Sequence, residues 1–486
     1  MKKKTKVLFA AFEAAPFFKT GGLGEVAGSL PAAVKKEGFD IRLMLPKLAS
    51  LPEKFAKKLT HVAHFQVPVG WRWQYCGIEQ LKYKNMVYYF LDNEYYFKRE
   101  RPYGFGDDAE RIAFFAKAVL EALQYLREDF FPDILHCNDW HTALTPVFLR
   151  EQYMAAPGYG DIRTIFSIHN LKFQGRYSAL LLGDLLGLWG NNTAVPQLLH
   201  DGDLNYICGG ANYADRLLTV SPTYAEEICT GAFGEGLDDV FRRRRPILQG
   251  ILNGIDQKLY DPATDKLLPA NFSPEDLAGK ALCKQALQQE LGLSQAPDTP
   301  LLVMVGRLTE QKGLDLLLYI LQELLHSEQR PQLAVLGTGD SRYEDAFRWF
   351  SANFPGQVAS RLCFDDALAH RMYAAGDLLL MPSRFEPCGL AQMIAMRYGT
   401  LPVVRETGGL KDSVIPYNRF TGEGTGFSFA NYNAHELLFC LQSAMAVYRD
   451  EPIVWQQLVA QAMAADFGWQ RSAKAYAQVY NELMGQ

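Results

Sequence analysis

The same local order occurs in both halves of the chain: a buried strand, a glycine-containing turn and an amphipathic helix. In the first half, a buried strand is predicted at 6–11, a Gly-Gly pair follows at 21–22, and residues 23–37 repeat apolar side chains at helical spacing. In the second half, the strand is predicted at 301–305 and the helix at 313–325. Parallel strands that alternate with helices build doubly wound sheets, which bind ligands at the carboxyl ends of the strands. We therefore predict an α/β fold with two doubly wound domains that face one another across a deep cleft.

The length of 486 residues supports this division, because a chain of this size exceeds what one hydrophobic core normally serves. We predict an N-terminal domain at 1–247, a second domain at 248–465, and a C-terminal helix at 466–486 that crosses back to the N-terminal domain. Further strands are predicted at 40–45, 86–91, 134–137, 164–168, 217–220, 333–336, 361–364, 378–381 and 401–404. Further helices are predicted at 109–128, 343–353, 368–375 and 390–398.

The composition disfavours several classes of partner and location. A net charge of -5 lacks the basic footprint of a nucleic-acid-binding protein. The eight cysteines are scattered without a C-x-x-C pair, so we expect reduced thiols in a cytoplasm and no structural zinc. The lysines at 2–4 and the apolar run at 7–12 imitate a secretory signal, but Glu13 ends that run early. No stretch approaches the roughly 20 apolar residues of a membrane span. We predict a cytoplasmic protein with no nucleic-acid or membrane partner, and its oligomeric state stays open.

Two turns place cations beside free backbone N–H groups. Lys19 precedes Gly21 and Gly22, where a ligand can approach the backbone closely and the following helix directs N–H groups at an anion. Arg307 and Lys312 follow the first strand of the second half, where two cations could stabilise a departing pyrophosphate. The spacing is not that of a P-loop, so ATP hydrolysis is not predicted. Each turn taken alone is also compatible with solvated surface charges.

Two further loops of the second half end at helix starts. Glu386 lies between a predicted strand and a predicted helix, where its carboxylate could accept hydrogen bonds from sugar hydroxyls. Cys388 has no adjacent histidine, which favours a packing or positioning role over a nucleophilic one. The segment Thr407-Gly408-Gly409 repeats the glycine turn of the first half and offers a second set of backbone donors for phosphate.

Histidine-containing loops follow two strands of the first half. His136 and His141 bound the segment His-Cys-Asn-Asp-Trp-His, His169-Asn170 follows the next strand, and Asn253 lies at the proposed domain boundary. A single buried histidine is usually a core residue, but two such loops at strand ends of one domain favour a functional site. No carboxylate triad accompanies the histidines, so we predict no metal site.

In their order along the chain, these motifs resemble the bacterial glycogen synthase and plant starch synthase family, retaining glycosyltransferases with the GT-B fold of two Rossmann-like domains. The matching segments are 19–23, 139–141, 169–170, 221–224, 253–254, 306–307, 312–313, 386–390 and 407–410. Each segment alone is a weak signal, whereas the ordered set spans essentially the whole chain.

The resemblance implies ADP-glucose as the donor, the non-reducing end of an α-1,4-glucan such as glycogen as the acceptor, and no cofactor. It implies that Glu386 holds the glucose hydroxyls, that His169 lies near the reacting carbon, and that Asp139 lines the acceptor side. Arg307 and Lys312 would stabilise the leaving nucleotide diphosphate. The implied donor contacts are Lys19, Gly21, Gly22, Arg307, Lys312, Glu386, Cys388, Gly389, Leu390, Thr407, Gly408 and Gly409. The other implied substrate contacts are Glu13, Tyr96, Asn170 and Asn253.

Two positions depart from patterns common among related enzymes. Gly24-Glu25 stands where the family usually has Ala-Asp or Gly-Asp, a change that keeps the charge. Ile394 stands eight residues after Glu386, where many other GT-B enzymes have a second glutamate, and this fits glycogen and starch synthases rather than sucrose-synthase-like relatives. The chain enters its first strand almost at once, without a plastid transit peptide, which favours a bacterial protein.

Two alternatives stay open: a GT-B enzyme that uses UDP-glucose, and a glucan-binding protein that has lost catalysis. An NAD-dependent enzyme is disfavoured, because no G-x-G-x-x-G follows the first strand. Transfer from an α-linked donor to an α-linked product retains the configuration of the anomeric carbon. We predict catalysis without a metal and prefer same-face attack assisted by the leaving phosphate, while a covalent intermediate on Asp139 is not excluded.

Overall fold

The computed structural model describes residues 4–485 and divides into two units. Unit 1 contains the chain up to Gly254 and takes it up again from Trp469, and unit 2 is Ile255–Gly468. The lysines at 2–3 of the signal-like segment lie outside the described residues. Within the described range, no helix has both the length and the apolar character needed to cross a bilayer.

The division between the units lies later than the sequence analysis placed it, after Gly254 rather than after residue 247. The physical reason is a short strand, Leu248–Gly250, which pairs in parallel with Arg216–Thr219 and so belongs to the sheet of unit 1. The last helix likewise joins unit 1 from Trp469 rather than from residue 466. A strand of three residues is too short to give a recognisable apolar pattern.

Among the described residues, unit 1 contains two sheets and ten α-helices before the chain enters unit 2. Its strands are β1 (Lys6–Ala10), β2 (Asp40–Pro46), β3 (Thr60–Val69), β4 (Arg72–Tyr83), β5 (Met86–Asp92), β6 (Ile134–Asn138), β7 (Arg163–Ile168), β8 (Arg176–Tyr177), β9 (Leu199–His200), β10 (Asp203–Asn205), β11 (Arg216–Thr219) and β12 (Leu248–Gly250). Its helices are α1 (Gly22–Lys36), α2 (Glu53–Ala56), α3 (Glu94–Phe97), α4 (Asp108–Leu126), α5 (Leu144–Phe148), α6 (Leu181–Asp184), α7 (Val195–Leu198), α8 (Tyr206–Tyr213), α9 (Pro222–Glu227) and α10 (Asp238–Arg243).

The large sheet of unit 1 has nine strands in the order β12-β11-β7-β6-β1-β2-β5-β4-β3. All strands from β12 to β5 in that order run parallel, and β4 and β3 add an antiparallel hairpin at one edge. The sequence analysis did not predict this hairpin. Its strand β3 alternates buried and exposed residues instead of forming the continuous apolar run of the buried parallel strands. A second sheet, β8-β10-β9, has three short strands.

Unit 2 contains one parallel sheet in the order β15-β14-β13-β16-β17-β18. Its strands are β13 (Leu301–Val305), β14 (Gln332–Leu336), β15 (Val358–Arg361), β16 (Leu378–Met381), β17 (Leu401–Arg405) and β18 (Phe427–Phe429). Its helices are α11 (Ala278–Leu291), α12 (Leu314–Leu325), α13 (Ser341–Asn353), α14 (Asp366–Ala375), α15 (Ala391–Arg397), α16 (Gly408–Ser413), α17 (Ala434–Asp450) and α18 (Pro452–Ala464). The last helix, α19 (Trp469–Leu483), belongs to unit 1.

One predicted strand of unit 2 was placed too late in the chain. The structure has β15 at Val358–Arg361, in register with β14 from Leu333 to Leu336, rather than at 361–364. The apolar side chain of Phe364 suggested a strand, but this side chain follows the strand and is 81% exposed. An exposed aromatic ring in a loop cannot be distinguished from a strand residue by its apolar character alone.

The core of unit 1 includes α19, which packs against α1. Tyr480 of α19 places its hydroxyl 2.7 Å from Nδ1 of His136, whose Nε2 lies 2.7 Å from Oγ of Ser167. His136 is therefore a core histidine within β6, with both ring nitrogens satisfied. The interpretation that His136 belongs to a functional loop was wrong, because this side chain is fully buried within β6 and its ring nitrogens are bonded to Tyr480 and Ser167.

Candidate active site

The carboxyl ends of three neighbouring strands of unit 1 carry most of the predicted side chains. In the sheet, β7, β6 and β1 lie next to one another and run parallel, so their carboxyl ends share one edge. His169 follows β7, Asp139 follows β6, and Glu13 follows β1. All three side chains are buried.

Asp139 has an unusual backbone and an unusual carboxyl group. Its φ is 61°, a left-handed conformation that side-chain-bearing residues rarely adopt and that recurs at functional sites. Burial raises its pKa to about 7, although backbone N–H groups of His169, Asn170 and Trp140 act in the opposite direction. Its Oδ1 is buried and has no hydrogen-bond partner among residues 4–485. This oxygen is thus available to a ligand.

His169 is a neutral imidazole with an assignable proton. Burial lowers its pKa to about 4. Its Nε2 lies 3.1 Å from Oδ1 of Asn138, whose amide nitrogen donates to the carbonyl of Ala10 at 3.1 Å. Because that contact fixes the amide orientation, Oδ1 accepts and Nε2 of His169 carries the proton. The imidazole can therefore position a sugar but cannot supply a positive charge at neutral pH.

The motif Ser-Pro-Thr-Tyr after β11 holds the loop that begins with His169. Ser221 caps α9 by accepting a hydrogen bond from the backbone of Tyr224 at 2.9 Å. The hydroxyl of Tyr224 accepts a hydrogen bond from the backbone N–H of Leu171 at 3.1 Å. The loop that begins with His169 is thereby anchored to α9.

The glycine turn before α1 is held by a buried carboxylate. Glu13 accepts hydrogen bonds from the backbone N–H and the hydroxyl of Thr20, and burial raises the pKa of Glu13. Lys19 lies 2.6 Å from Glu25, and both side chains are partly exposed. A Cβ atom added at Gly21 or Gly22 would meet nothing within 4 Å. Sterics within the chain therefore do not require these glycines, whereas the close approach of a ligand would.

Two aromatic residues lie next to this turn: His141, which the sequence singled out as part of a candidate loop, and Tyr103, which it did not. The hydroxyl of Tyr103 is hydrogen-bonded to Oγ1 of Thr20, and its ring lies 5.1 Å from that of His141. His141 stacks on Phe12 at 4.9 Å, and neither of its ring nitrogens has a partner within the described part of the chain. Burial lowers the pKa of His141 to about 3. The signal for His141 was its place in the Asp-Trp-His motif, whereas nothing local marked Tyr103.

The three other implied substrate contacts of unit 1 differ in accessibility. Tyr96 is fully buried and donates its hydroxyl to Glu110, so this hydroxyl already has a partner inside the protein. Asn170 is partly exposed and accepts from the backbone of Lys172 at 3.1 Å. Asn253 is buried, with an Oδ1 that lacks a partner among the described residues.

The predicted site of unit 2 is centred on an ion pair between a partly exposed lysine and a buried glutamate. Nζ of Lys312 lies 2.5 Å from Oε2 of Glu386, and Oγ of Ser383 donates to the same oxygen at 3.0 Å. The side chains of Lys312 and Glu386 are 21% and 8% exposed. Arg307 is exposed, and its side chain forms no hydrogen bond or ion pair with any described residue. Lys312 and Arg307 both follow β13, so two cations lie at one strand end.

The loop of Glu386 contacts the second glycine turn directly. The backbone N–H of Gly409 donates to the carbonyl of Glu386 at 3.1 Å. Gly408 has a φ of +44°, and a Cβ atom there would lie 2.0 Å from that same carbonyl oxygen. Thr407 is buried just before α16. The two loops that the sequence predicted as donor contacts are therefore packed against each other.

The segment after Glu386 starts α15. The side-chain amide of Gln392 donates to the carbonyls of Cys388 and Gly389 at 3.0 Å each. Cys388 is buried, and Leu390 is partly exposed at the first turn of the helix. Gly389 has a φ of +70°, which favours glycine. These contacts fix the backbone of this segment through Gln392, a residue that the sequence analysis did not select.

A further aromatic side chain lies at the same edge of the sheet in unit 2. Phe364 follows β15 and is 81% exposed, and β15 is separated from β13 only by β14. A single exposed apolar side chain is common on protein surfaces, so its exposure alone does not assign Phe364 a function. Across residues 4–485, no three His, Cys, Asp or Glu side chains are grouped closely enough to hold a metal ion.

Comparison with known proteins gives the family of this chain. The family model described as "Starch synthase catalytic domain" matches residues 6–243, and "Glycosyl transferases group 1" matches residues 290–446. A glycogen synthase from Geobacillus thermodenitrificans is 50% identical over 479 residues, covering 99% of this chain and 98% of the relative. The chain belongs to the glycogen and starch synthase family. A glycogen synthase from Desulforamulus reducens, 49% identical over 479 residues, covers 99% of each chain.

One solved structure supports the same family, and a second, more distant one supports the fold. The catalytic domain of starch synthase IV from Arabidopsis thaliana, bound to ADP and acarbose, matches with a TM-score of 0.89 and 33% identity and covers 100% of each chain. A sucrose-phosphate synthase from Thermosynechococcus elongatus matches with a TM-score of 0.62 at 17% identity, covers 99% of this chain and 100% of its own, and shows the fold alone. The predicted family and the predicted α/β fold class, GT-B with two Rossmann-like units, are confirmed.

Proposed function

We propose that this chain transfers glucose from ADP-glucose to the non-reducing end of an α-1,4-glucan and retains the configuration of the anomeric carbon. The observation that carries the proposal is the ion pair of Lys312 with the buried carboxylate of Glu386, together with the exposed side chain of Arg307 at the end of the strand that precedes Lys312. Membership of the glycogen and starch synthase family supports the choice of donor and acceptor.

The two cations and the carboxylate have different roles in the proposed reaction. The bond between the anomeric carbon and the diphosphate oxygen breaks, and the leaving group carries the bonding electron pair away. Arg307 and Lys312 stabilise that charge, and one well-placed donor contributes about 3–4 kcal/mol to such a transition state. Glu386 accepts hydrogen bonds from the glucose hydroxyls. It thereby holds the glucose while the sugar ring gains positive charge.

The acceptor hydroxyl then bonds to the same face of the anomeric carbon, and its proton passes to the leaving phosphate. This course needs no enzymatic base, and it suits a site whose histidines have lowered pKa values. Asp139 and His169 are proposed to bind the acceptor glucose and the transferred glucose, respectively. Lys19, with backbone N–H groups of Gly21 and Gly22, is proposed as a further contact of the donor phosphates.

Two assays separate this proposal from its alternatives. Nucleotide release is measured with ADP-glucose and with UDP-glucose, each with glycogen, and each with and without a chelator. We expect ADP release to dominate, the chelator to change the rate less than about twofold, and the product to contain new α-1,4 linkages. Faster turnover of UDP-glucose than of ADP-glucose would show that the enzyme uses UDP-glucose as its donor. Glycogen binding without nucleotide release from either donor would indicate a non-catalytic protein.

A further inference from the structure

A buried arginine at the end of β17 is bonded to the loop that carries Glu386. Arg405 is 7% exposed. Its Nε donates to the carbonyl of Ser383 at 2.8 Å, and its Nη2 donates to the carbonyl of Arg384. Its Nη1 lies 3.4 Å from the carbonyl of Ala430. One guanidinium group therefore holds two successive carbonyls of the loop after β16.

The two bonded carbonyls belong to Ser383 and Arg384, which lie two to three residues before Glu386 of the proposed donor site. The hydroxyl of Ser383 donates to Glu386, whose carboxylate is paired with Lys312. On its other side, the loop is bonded to Gln311: the backbone N–H of Arg384 donates to the Gln311 carbonyl at 2.9 Å. The loop is thus fixed between β17 and the turn before α12.

Arg405 also begins the glycine turn that contacts this loop. Its own carbonyl accepts from the backbone N–H of Thr407 at 2.9 Å, two residues before Gly409 donates to the Glu386 carbonyl. The side chain and the backbone of Arg405 therefore act on both donor-site loops. A change in the guanidinium position would alter their relative placement.

We propose that Arg405 is a positioning residue, which sets the carboxylate of Glu386 through the backbone of Ser383 and Arg384. The proposal rests on the proposed role of Glu386 in holding the donor sugar. A planar guanidinium offers several donors in fixed directions, whereas a lysine offers one compact ammonium group that cannot match both carbonyls in the same way. Arg405→Lys keeps the charge and removes this geometry.

The first test compares Arg405→Lys with Arg371→Lys, a matched arginine of unit 2 that forms a bidentate ion pair with Glu290. We expect Arg405→Lys to lower kcat at least about tenfold, because misplacement of a reacting group by about 1 Å can cost a hundredfold. The control should keep kcat within about twofold. Should Arg405→Lys prove insoluble, Arg405→Gln keeps one donor and is expected to behave in the same way.

The second test shows whether Arg405 acts through Glu386. Residues that act as a unit have effects that do not add. In a Glu386→Gln background, Arg405→Lys should therefore lower kcat by less than about twofold. A merely structural role would multiply the two losses. Hydrogen exchange should quicken at 383–390 in Arg405→Lys and stay unchanged in the strand at Leu301–Val305.

Hydrogen exchange at 383–390 does not depend on which sugar nucleotide is the donor. The proposed function and the positioning role of Arg405 can therefore be contradicted separately. A wild-type protein that does not turn over ADP-glucose would contradict the proposed function, and the exchange of 383–390 would still decide the role of Arg405. The positioning role is overturned if Arg405→Lys keeps more than half of the wild-type kcat, if its effect multiplies with that of Glu386→Gln, or if exchange at 383–390 is unchanged.

Discussion

Asp139 combines a strained backbone with a carboxyl group whose pKa is raised to about 7 by burial. A raised folded-state pKa means that the folded protein binds a proton more readily than the unfolded chain between about pH 4 and pH 7. Folding stability from this group is therefore fully present at low pH and is lost as the pH rises through 7. The charged form is tolerated at neutral pH at a cost to stability.

Relative to the wild type, we predict that Asp139→Asn stabilises the protein more at pH 8 than at pH 5. The reason is that the asparagine side chain has no carboxylate charge to bury. The melting temperature of the variant minus that of the wild type should rise by at least about 2 °C between these pH values. Differential scanning calorimetry at both pH values measures this difference. A difference that does not change with pH would show that Asp139 is not buried with a raised pKa.

Substitutions of Arg307 and Lys312 should affect catalysis alike but stability differently. Arg307→Ala should lower kcat/KM by about 10²-fold or more, because it removes a donor to the leaving group, and should leave the melting temperature unchanged. Lys312→Met should lower both, because it also leaves a buried carboxylate without its cation, at a cost of about 1–3 kcal/mol. Steady-state kinetics and thermal unfolding of both variants test this contrast. Equal destabilisation by the two changes would contradict it.

At the residue scale, the sequence predicted the candidate site residues, but not the backbone conformations and contacts that these residues have in the fold. Asp139, Lys312 and Glu386 were recognised from their motifs, but neither the left-handed backbone of Asp139 nor the ion pair of the other two can be derived from spacing. Tyr103 was missed, because its link to Thr20 joins segments far apart in the chain. Whether these residues bind substrate stays a prediction.

At the scale of elements, the two glycine turns differ in what they require. The turn at Gly21 and Gly22 has open space around both residues, whereas Gly408 lies against the carbonyl of Glu386. Both turns look alike in sequence. The close approach of two loops within unit 2 explains one turn, and the proposed approach of a ligand explains the other.

We predict that Gly408→Ala disrupts the contact between the two donor-site loops and lowers kcat at least about tenfold. Gly422→Ala is the matched control, since it also has a positive φ, of 73°, but its added Cβ would meet nothing within 4 Å. Initial rates of nucleotide release and melting temperatures of both variants give the comparison. Wild-type activity of Gly408→Ala would contradict the predicted clash with Glu386, and an equal loss in Gly422→Ala would attribute the effect to backbone strain.

The parallel strands were predictable because they are continuous apolar runs bounded by glycine or polar residues. The β3–β4 hairpin was not, because one of its faces is exposed and its pattern is half polar. The short β12 and the shifted β15 depend on pairing with distant strands, which local periodicity does not contain. Sheet order is likewise a property of long-range contacts.

At the scale of the whole molecule, unit 1 is completed by a helix that follows unit 2 in the chain. Helix α19 supplies Tyr480, whose hydroxyl contacts the buried His136. Tyr480→Phe should lower the free energy of unfolding by about 1–3 kcal/mol, because it leaves a buried ring nitrogen without a partner. Tyr319→Phe, at a side chain that is 71% exposed, is the control and should have little effect. Denaturant unfolding of both variants measures this, and equal stabilities would contradict the assigned contact.

In the proposed reaction, a buried carboxylate paired with a lysine holds the donor sugar during transfer. The most direct measurement is the initial rate of ADP release from ADP-glucose and glycogen by wild type, Glu386→Gln and Glu290→Gln, the last at a partly exposed glutamate paired with Arg371. We expect a loss of at least about 10²-fold in kcat for Glu386→Gln and wild-type rates for Glu290→Gln. Full activity of Glu386→Gln would contradict it.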